Sequence, residues 1–412
     1  MKGEYKMSNS TKSYILGLQH LFAMFGATVL VPALTGLHPG VALFTAGVGT
    51  FIFHYITGKK VPVFLGSSFA YIGAIKLVIE KYGIQAAQGG IITAGLIYVL
   101  LSVLVSLVGA DKIKSFLPPI VTGPIIMVIG LTLSPVAVDM ASGNWWIAIF
   151  VLLVVIIITV FDKGFFKLVP ILIGIASGYI VSLIMDYSGF SGTQPLVNTQ
   201  KIIEADWLNI MPIFRGEFFT LPSFNITAIS LIAPIAIVTF MEHIGDITTN
   251  GAVVGRDYFK DPGLHRTLLG DGLATFFAGL VGGPANTTYS ENTGVLAVTK
   301  VYDSKILRIA AVYAIILSLV GKLGAILQTI PVPVMGGVSL VLFGMIASIG
   351  MRTISEADLD FTHSRNLIIV SLILVVGLGV GDIAITETFK ISGLFLAALV
   401  GIISNKLLPE NV

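Results

Sequence analysis

The chain has 412 residues, of which 55% are hydrophobic and only 11% are charged, and its mean hydropathy is +0.95. Soluble proteins carry about 25% charged residues, so this composition could not cover a surface that faces water. Disordered chains are polar and charged, and the same values exclude them. The net charge is only +2 and the basic residues are scattered, which argues against binding to nucleic acid. The composition therefore predicts an α-helical protein that crosses the lipid bilayer many times.

Several classes of chemistry are excluded by residues that the sequence lacks. It contains no cysteine, which excludes disulfides, thiolate metal sites and cysteine nucleophiles. Its six histidines are dispersed without the spacing of a metal site, and there is no P-loop sequence for ATP hydrolysis. No nucleophile stands in a recognisable arrangement with a base, so a membrane-bound enzyme is the least favoured class. We predict no metal and no cofactor, and any uphill work must come from a gradient or from a partner.

Fourteen segments are long and apolar enough to be candidate spans, since a spanning helix needs about 20 mostly apolar residues. In chain order they are residues 12–35, 39–58, 62–80, 86–108, 117–137, 144–161, 167–186, 225–246, 267–283, 288–300, 307–328, 332–351, 364–381 and 387–408. With the N-terminus in the cytoplasm, most of the 24 lysines and arginines fall on the cytoplasmic side, as the positive-inside rule requires. An even number of spans then places both termini in the cytoplasm.

Three short patterns recur in the same order in the two halves of the chain. The matched pairs are Gln19-His20 with Glu242-His243, Gly66–Ala70 with Asn286–Ser290, and Pro118 and Gly123 with Pro331 and Gly336. Each match is weak alone, but three in order at a similar offset indicate a repeat of seven spans. Because seven is odd, the halves have opposite orientations in the membrane, and such inverted repeats are typical of secondary transporters.

The second matched pair lies in the least helical parts of the predicted spans three and ten. Runs of Ser, Thr and aromatic residues beside Gly, Pro and Asn favour extended backbone over helix. Interrupted segments at corresponding positions of two halves are the best pointer in a sequence to a transporter's binding site. We predict that Gly66–Ala70 and Asn286–Ser290 are extended and offer free backbone N–H and C=O groups to a polar solute.

Three acidic residues are predicted at membrane depth. Glu242 and Asp246 follow a long apolar run and lie one helical turn apart, so they share a face, and Glu291 follows the second extended segment. A carboxylate in the bilayer costs several kcal/mol and is by default a functional hypothesis. The alternative is that these spans end earlier and the acids lie in water at helix ends. Polar neighbours argue against that alternative: His243, Asn286, Thr287, Thr288 and Asn292.

Buried carboxylates together with free backbone groups suit a particular kind of solute. Carboxylates accept hydrogen bonds from N–H groups, and backbone N–H groups donate to carbonyl oxygens. A flat, imide-like heterocycle displays alternating N–H and C=O groups and matches this site. A cation would also suit the carboxylates but would leave the backbone N–H groups unused. One of the acids could also carry a proton across with the solute.

The sequence resembles the nucleobase–ascorbate transporter (nucleobase:cation symporter-2) family, in particular its bacterial uracil permease branch. The motifs that carry the resemblance are Gln19–Ala27, Gly66–Ala70, Glu242–Asp246, Asp261–Arg266, Asn286–Gly294 and Pro331–Gly337. The resemblance covers essentially the whole chain.

The resemblance implies an all-α fold of fourteen transmembrane segments, built as two inverted seven-span repeats, with short antiparallel strands in broken spans three and ten. It implies a core domain from residues 12–110 and 225–330, a gate domain from residues 115–187 and 331–408, and an extracellular connection over residues 188–224. It also implies a multi-pass protein of the cell membrane, coupled to protons and commonly a homodimer.

The resemblance assigns roles to individual residues. Glu242 and Glu291 would hydrogen-bond a pyrimidine, backbone groups of Phe69 and Ser290 would contact it, and Tyr289 would line the pocket. Asn292 would brace the site, and His243 or Asp246 would take part in proton coupling.

Three positions bear on the substrate and the coupling. Members of the family that transport purines usually have glutamine where this chain has Glu291, so a glutamate favours a pyrimidine. Asp246 stands where some uracil permeases have histidine, and Phe343 where some have tyrosine. A histidine's role in coupling and a hydrogen bond from position 343 are therefore not carried over.

The function predicted from the sequence is proton-coupled symport of uracil into the cell. One alternative is a xanthine or urate permease of the same family. A less favoured alternative is an anion transporter or channel of the same fold, because paired acids beside a binding site argue against an anion.

Overall fold

A computed structural model describes residues 9–190, 195–208, 221–386 and 389–409 of the chain. The predicted connection over residues 188–224 therefore lies partly outside the described residues, as does the start of the predicted span 387–408.

The described residues form nineteen α-helices and four short β-strands. The helices are α1 (Asn9–Thr35), α2 (Pro39–Ile56), α3 (Ile72–Tyr82), α4 (Ile84–Val108), α5 (Ala110–Phe116), α6 (Pro119–Thr132), α7 (Ser134–Ser142), α8 (Trp145–Phe161), α9 (Pro170–Tyr187), α10 (Thr199–Glu204), α11 (Ile226–Ile232), α12 (Ile235–Val254), α13 (Leu264–Val281), α14 (Ser290–Thr299), α15 (Ser304–Ser318), α16 (Gly321–Gln328), α17 (Val332–Glu356), α18 (Ser364–Gly379) and α19 (Gly393–Leu407). The strands are β1 (Leu65–Ser67), β2 (Asn286–Thr288), β3 (Ile383–Ala384) and β4 (Lys390–Ile391).

Seven helical stretches of the described chain are long and apolar enough to cross a bilayer. They are Thr11–Thr35, Pro39–Ile56, Ile84–Val108, Pro119–Ser142, Pro170–Tyr187, Ile226–Val254 and Val332–Glu356. Three shorter apolar helices, α8, α18 and α19, accompany them. The prediction of a multi-pass, mostly helical membrane protein is confirmed at this level.

Several helices begin where a polar side chain meets the first free backbone N–H groups. Asn144 Oδ1 accepts from the N–H of Ile147 at 3.3 Å before α8, and Asn225 Oδ1 accepts from the N–H of Ala228 at 3.0 Å before α11. These bonds satisfy donors that have no partner within the helix.

The two predicted broken spans contain the only strands that lie deep in the described fold, and these strands pair with each other. β1 and β2 are antiparallel, with Leu65 opposite Thr288 and Ser67 opposite Asn286. The pairing continues one step at each end: Ser68 N–H donates to Ala285 O at 2.8 Å, and Tyr289 N–H donates to Phe64 O at 3.0 Å. Each irregular segment thus satisfies the backbone groups of the other, which buried backbone requires.

The extended segments are shorter than the sequence predicted. Phe69 already begins a single 3₁₀ turn, Phe69–Tyr71, which leads into α3, and Ser290 is the first residue of α14. Extended backbone therefore ends just before each helix, because only the residues that pair across the two strands gain hydrogen bonds from being extended.

The helices pack mainly within two sets. We call α1–α4 with α11–α16 the first helix group, and α6–α9 with α17–α19 the second helix group. Close approach within the second group depends on small residues, since a Cβ added at Gly350 on α17 would overlap the backbone of Gly123 on α6. The groups touch where α1 meets α9 and where α12 meets α6 and α19.

The longest described stretch of the connection, residues 195–208, contacts both helix groups. Asp186 at the end of α9 accepts hydrogen bonds from the backbone N–H groups of Leu196 and Val197 at 2.8 and 2.9 Å. Lys322 on α16 donates to the carbonyl oxygens of Ile202 and Ile203 at 2.7 and 2.8 Å, at the C-terminal end of α10. A lysine at this end of a helix satisfies carbonyls that lack helical partners.

Tyr289 packs against one side of the strand pair. Its hydroxyl donates to the carbonyl oxygen of Ser67 at 2.8 Å, and its ring covers Gly66. A Cβ at Gly66 would overlap that ring, so β1 can carry only glycine at this position without a shift.

We predict that Gly66→Ala lowers the midpoint of thermal unfolding of the purified protein. The Tyr289 ring is held by its bond to Ser67 and cannot move away freely, so overpacking should cost about 1–3 kcal/mol. Gly294→Ala on α14 is the matched control, because a methyl group there would meet nothing within 4 Å. An unchanged midpoint for Gly66→Ala would show that the Tyr289 ring shifts to make room for the added methyl group.

Candidate functional site

A cavity of about 50 Å³ lies between the two helix groups, beside the β1–β2 pair. On the side of the first group its walls come from α12, β2 and the start of α14, and on the side of the second group from α6 and α17. The first wall carries carboxylates and hydroxyls: Glu242, Asp246, Thr287, Thr288, Ser290 and Glu291. The second wall carries three isoleucines and two polar residues: Ile126, Ile346, Ile349, Arg352 and Thr353. The cavity thus offers carboxylates and hydroxyls on one face and isoleucine side chains on the other.

Glu242 presents an unused acceptor at this cavity. Its Oε2 atom is buried, and no described residue donates a hydrogen bond to it. A buried carboxylate oxygen without a donor is costly, so it fits a site that a ligand N–H group or a proton completes.

Asp246 lies one turn further along α12 and holds the strand–helix joint in place. Its Oδ2 accepts from the Thr288 hydroxyl at 3.0 Å, and its Oδ1 accepts from the Ser290 hydroxyl at 2.6 Å. Both oxygens are engaged with β2 and α14. Asp246 therefore positions the end of β2 and has little acceptor capacity left for a solute. The alternative interpretation placed these acids at helix ends. α12 continues to Val254, so Glu242 and Asp246 lie within the helix and not at its end.

Glu291 lies in the first turn of α14 and also lines the cavity. The backbone N–H groups of a first helical turn lack intrahelical partners and carry the positive end of the helix dipole. A carboxylate is stabilised at this place, and the same N–H groups can donate to a carbonyl oxygen of a solute.

The two aromatic residues predicted for the site play different parts. Tyr289 is buried, and its ring and hydroxyl are committed to Gly66 and Ser67. Phe69 stands at the other end of the strand pair, and its ring makes an edge-to-face contact with Phe343 on α17, with centroids 6.2 Å apart and planes at 78°. Such edge-to-face contacts are favourable between aromatic rings.

Asn292 lies behind the cavity and links α14 to α1. Its side-chain amide donates to the carbonyl oxygen of His20 at 2.9 Å and lies 3.2 Å from His20 Nδ1. Asn292 is fully buried and does not line the cavity, so its contacts brace the helix that carries Glu291.

His243 also lies away from the cavity. Its Nδ1 is 2.8 Å from Asp271 Oδ2 on α13, and its Nε2 is 2.9 Å from the Thr267 hydroxyl. The Thr267 hydroxyl donates to the carbonyl of Leu264 at 3.0 Å, so it must accept from an Nε2–H group. The remaining proton is shared between Nδ1 and the Asp271 carboxylate, which forms a fully buried pair.

Two features were not predicted from the sequence: the role of Asp271 and the position of Arg352 at the cavity. Asp271 lies within the predicted span 267–283, so the rule that singled out Glu242, a carboxylate inside an apolar run, applied to it equally. Arg352 lines the cavity near the end of α17, where its guanidinium lies 3.4 Å from the Glu356 carboxylate. Only the position of Arg352 in the fold shows this, because α17 and the acids are far apart in sequence.

The structure therefore divides the predicted site residues into two sets. Those that line the cavity are Phe69, Glu242, Asp246, Tyr289, Ser290 and Glu291. Those that lie behind it, in hydrogen bonds to neighbouring helices, are His243 and Asn292.

Comparison with solved structures identifies the class of fold. The transmembrane domain of the bicarbonate transporter BicA from a cyanobacterium matches with a TM-score of 0.64, over 98% of this chain and 99% of that domain. The sequence identity is only 16%, so the likeness concerns the fold. The chain thus shares the fold of that transmembrane domain.

The sequence identifies the family. A family described as "Permease family" matches residues 11–384, and this chain belongs to it, which confirms the resemblance drawn from the motifs. A probable uracil permease of Haemophilus influenzae is 44% identical, over 97% of this chain and 95% of its own length. The uracil permease of Bacillus subtilis is 43% identical, over 95% of this chain and 92% of its own length. Membership in this family indicates a transport protein and not an enzyme.

We predict that Asp271→Ala strongly destabilises the protein, by about 3–5 kcal/mol, because it leaves His243 buried without its partner. Asp271→Asn should cost less, since an amide can keep a hydrogen bond to Nδ1. The matched control is Asp261→Ala, which removes an exposed ion pair with Lys60 and should cost less than about 1 kcal/mol. Thermal or denaturant unfolding of the purified variants measures the difference. Equal losses for the Asp271→Ala and Asp261→Ala variants would contradict the buried pair.

Proposed function

We propose that this protein is a uracil permease that carries uracil into the cell together with protons, by alternating access across the cell membrane. The proposal is supported by family membership and by the two relatives whose names state uracil transport, at 43% and 44% identity. It is supported independently by the chemistry of the cavity.

The observation that carries the proposal is the pair of glutamates on one cavity wall, one of which has an oxygen without a donor. Glu242 Oε2 is that oxygen, and Glu291 lines the same cavity from the first turn of α14. Uracil is flat and presents ring N–H groups between carbonyl groups. The carboxylates accept from the N–H groups, and the free backbone N–H groups that begin helices donate to the carbonyls.

The other residues of the site complete this arrangement. Backbone groups of Phe69 and Ser290 lie where the 3₁₀ turn and α14 begin, and we propose that they contact the base. Tyr289 forms part of the wall, and the isoleucines of α6 and α17 cover the flat face of the ring. A glutamate at position 291 favours a pyrimidine, as in the uracil permease branch that the sequence resembles.

Proton coupling follows from the number of acids that share the cavity. Glu242, Asp246 and Glu291 all line it, so their charges repel one another in a medium of low polarity. Binding of a proton lowers this repulsion and would allow the two helix groups to close on the substrate. Among the three, Glu242 has the oxygen that no described residue engages, which makes it the best-placed acceptor of the proton. Asp246 supports the site from the cavity wall through its bonds to Thr288 and Ser290, and the His243–Asp271 pair supports it from behind.

The proposed architecture assigns the two helix groups to two domains. We propose a core of residues 12–110 and 225–330 and a gate of residues 115–187 and 331–408, in a fold of fourteen spans and two inverted repeats. The two helix groups and the antiparallel pairing of two similar broken segments support this assignment. The distribution of lysine and arginine supports cytoplasmic termini, with residues 188–224 outside. We further propose a homodimer, as is common in the family.

An anion transporter is the alternative from another class, since the similar fold of BicA belongs to a bicarbonate transporter. Three carboxylates on the cavity wall disfavour it, because like charges repel an anion. A purine permease of this same family remains the alternative within the family, and competition by a purine base distinguishes it.

We predict that Glu242→Gln and Glu291→Gln each reduce uracil uptake to background while the protein still reaches the membrane. Loss of a single hydrogen bond to a charged group costs about 1.5–3 kcal/mol, which weakens binding about 10- to 100-fold. Uptake of radiolabelled uracil by cells, with the amount of protein in the membrane measured by immunoblot, tests this.

The matched control for both variants is Glu204→Gln. Glu204 is an exposed glutamate on α10 whose carboxylate accepts from Gln200 at 2.7 Å, far from the cavity. It should leave uptake unchanged. Normal uptake by both cavity variants would refute the proposed site.

A further inference from the structure

Phe69 borders two cavities that lie along the same seam between the helix groups. It lines the site cavity, and it also lines a second cavity of about 380 Å³. The second cavity lies between α3 of the first group and α6, α18 and α19 of the second group, with Gly73, Leu77, Ile129 and Asp382 among its lining residues. We call it the far cavity.

The two cavities follow each other along α6. Ile126 lines the site cavity, and Ile129, one turn later on the same helix, lines the far cavity. They open towards opposite ends of the fold. Thr353 lines the site cavity near the end of α17, beside the loop that leads into α18, whereas Asp382 lines the far cavity just after α18 ends. Phe69 therefore lies between the two cavities on the seam of the helix groups.

The Phe69 ring is held in place by a contact between the two groups. It is 6% exposed and meets the edge of Phe343, which is 1% exposed. Phe69 belongs to the first group, where the 3₁₀ turn joins β1 to α3, and Phe343 belongs to the second group, on α17. Sliding of one group against the other would separate the rings, so this contact closes or opens with the movement of the groups.

We propose that the side chain of Phe69, seated on Phe343, is the partition that separates the site cavity from the far cavity. This inference rests on the proposed function, since a partition has a role only in a protein that moves a solute between two sides. It assigns the side chain of Phe69 a role in addition to the backbone contact with the base. Because an apolar ring blocks both water and a polar base, the site is exposed to one side at a time only while the ring is in place.

The absence of cysteine from the whole sequence allows a direct test by labelling of single introduced cysteines. Thr353→Cys places a thiol in the site cavity. A membrane-impermeant thiol reagent is added in vesicles to the face that carries the loop between α18 and α19, which is the face of the far cavity. The initial rate of reaction is measured without uracil, for the protein with Phe69 and for the same protein with Phe69→Ala.

We expect Phe69→Ala to raise the rate of reaction from the far face at least about tenfold, because the reagent then reaches the site cavity without a movement of the helix groups. With Phe69 present, that rate is limited by the movement. The matched control is Leu77→Ala, which truncates another apolar side chain of the far cavity and should leave the rate unchanged. A rate for Phe69→Ala within about twofold of the parent, or an equal increase for Leu77→Ala, would overturn the proposal.

A second pair of variants keeps the test decisive if Phe69→Ala does not fold. Phe69→Leu keeps apolar bulk but loses the aromatic edge, and Phe343→Ala removes the surface on which the ring sits. Each variant should raise the rate of reaction from the far face. If neither variant raises it, the proposed partition is refuted. The labelling needs no substrate, so its failure is distinguishable from a failure of uracil transport, which is measured as uptake with Phe69 intact.

Discussion

Backbone N–H and C=O groups within a bilayer find no water, so each irregular segment at that depth must find its hydrogen bonds inside the protein. Two segments far apart in the sequence meet this constraint by pairing with each other, Leu65–Ser67 with Asn286–Thr288. Because of this pairing, neither segment has to be helical to satisfy its backbone groups. Each is followed by a helical turn whose first N–H groups lack partners within the helix, and these turns begin at Phe69 and Ser290, beside the cavity. The site is thus built where the strand pair ends.

The side chains around the strand pair are divided between those that hold it and those that line the cavity. Asp246 accepts hydrogen bonds from Thr288 and Ser290 with both of its oxygens, and Tyr289 closes over Gly66. These contacts fix the joint between β2 and α14, so Glu291 is placed on the cavity by a rigid support. Glu242, one turn from Asp246 on the same helix, keeps an oxygen that no described residue engages. A rigid support with an incomplete acceptor is what a binding site for a small N–H donor requires.

The location of the site could be predicted from the sequence because its signals are local and costly. Carboxylates within apolar runs and Ser/Thr-rich breaks in predicted spans are expensive at membrane depth, and both are visible residue by residue. The direction of each side chain was harder to predict. Glu242 and His243 are adjacent and point about 100° apart on the helix, and only Glu242 lines the cavity. The partner of His243 is Asp271, on another helix, and the register of β1 on β2 and the contact of Phe69 with Phe343 are equally long-range. Such contacts follow from the packing of whole helices, which no local pattern specifies.

We propose that the acids of this cavity bind uracil and couple its transport to protons. The most direct test is uptake of radiolabelled uracil into proteoliposomes that contain the purified protein, with and without an inward proton gradient, challenged by excess unlabelled xanthine. We expect uptake that the gradient drives and that xanthine leaves unaffected. Uptake blocked by xanthine would assign the site to purines, and no uptake under any gradient would contradict the account.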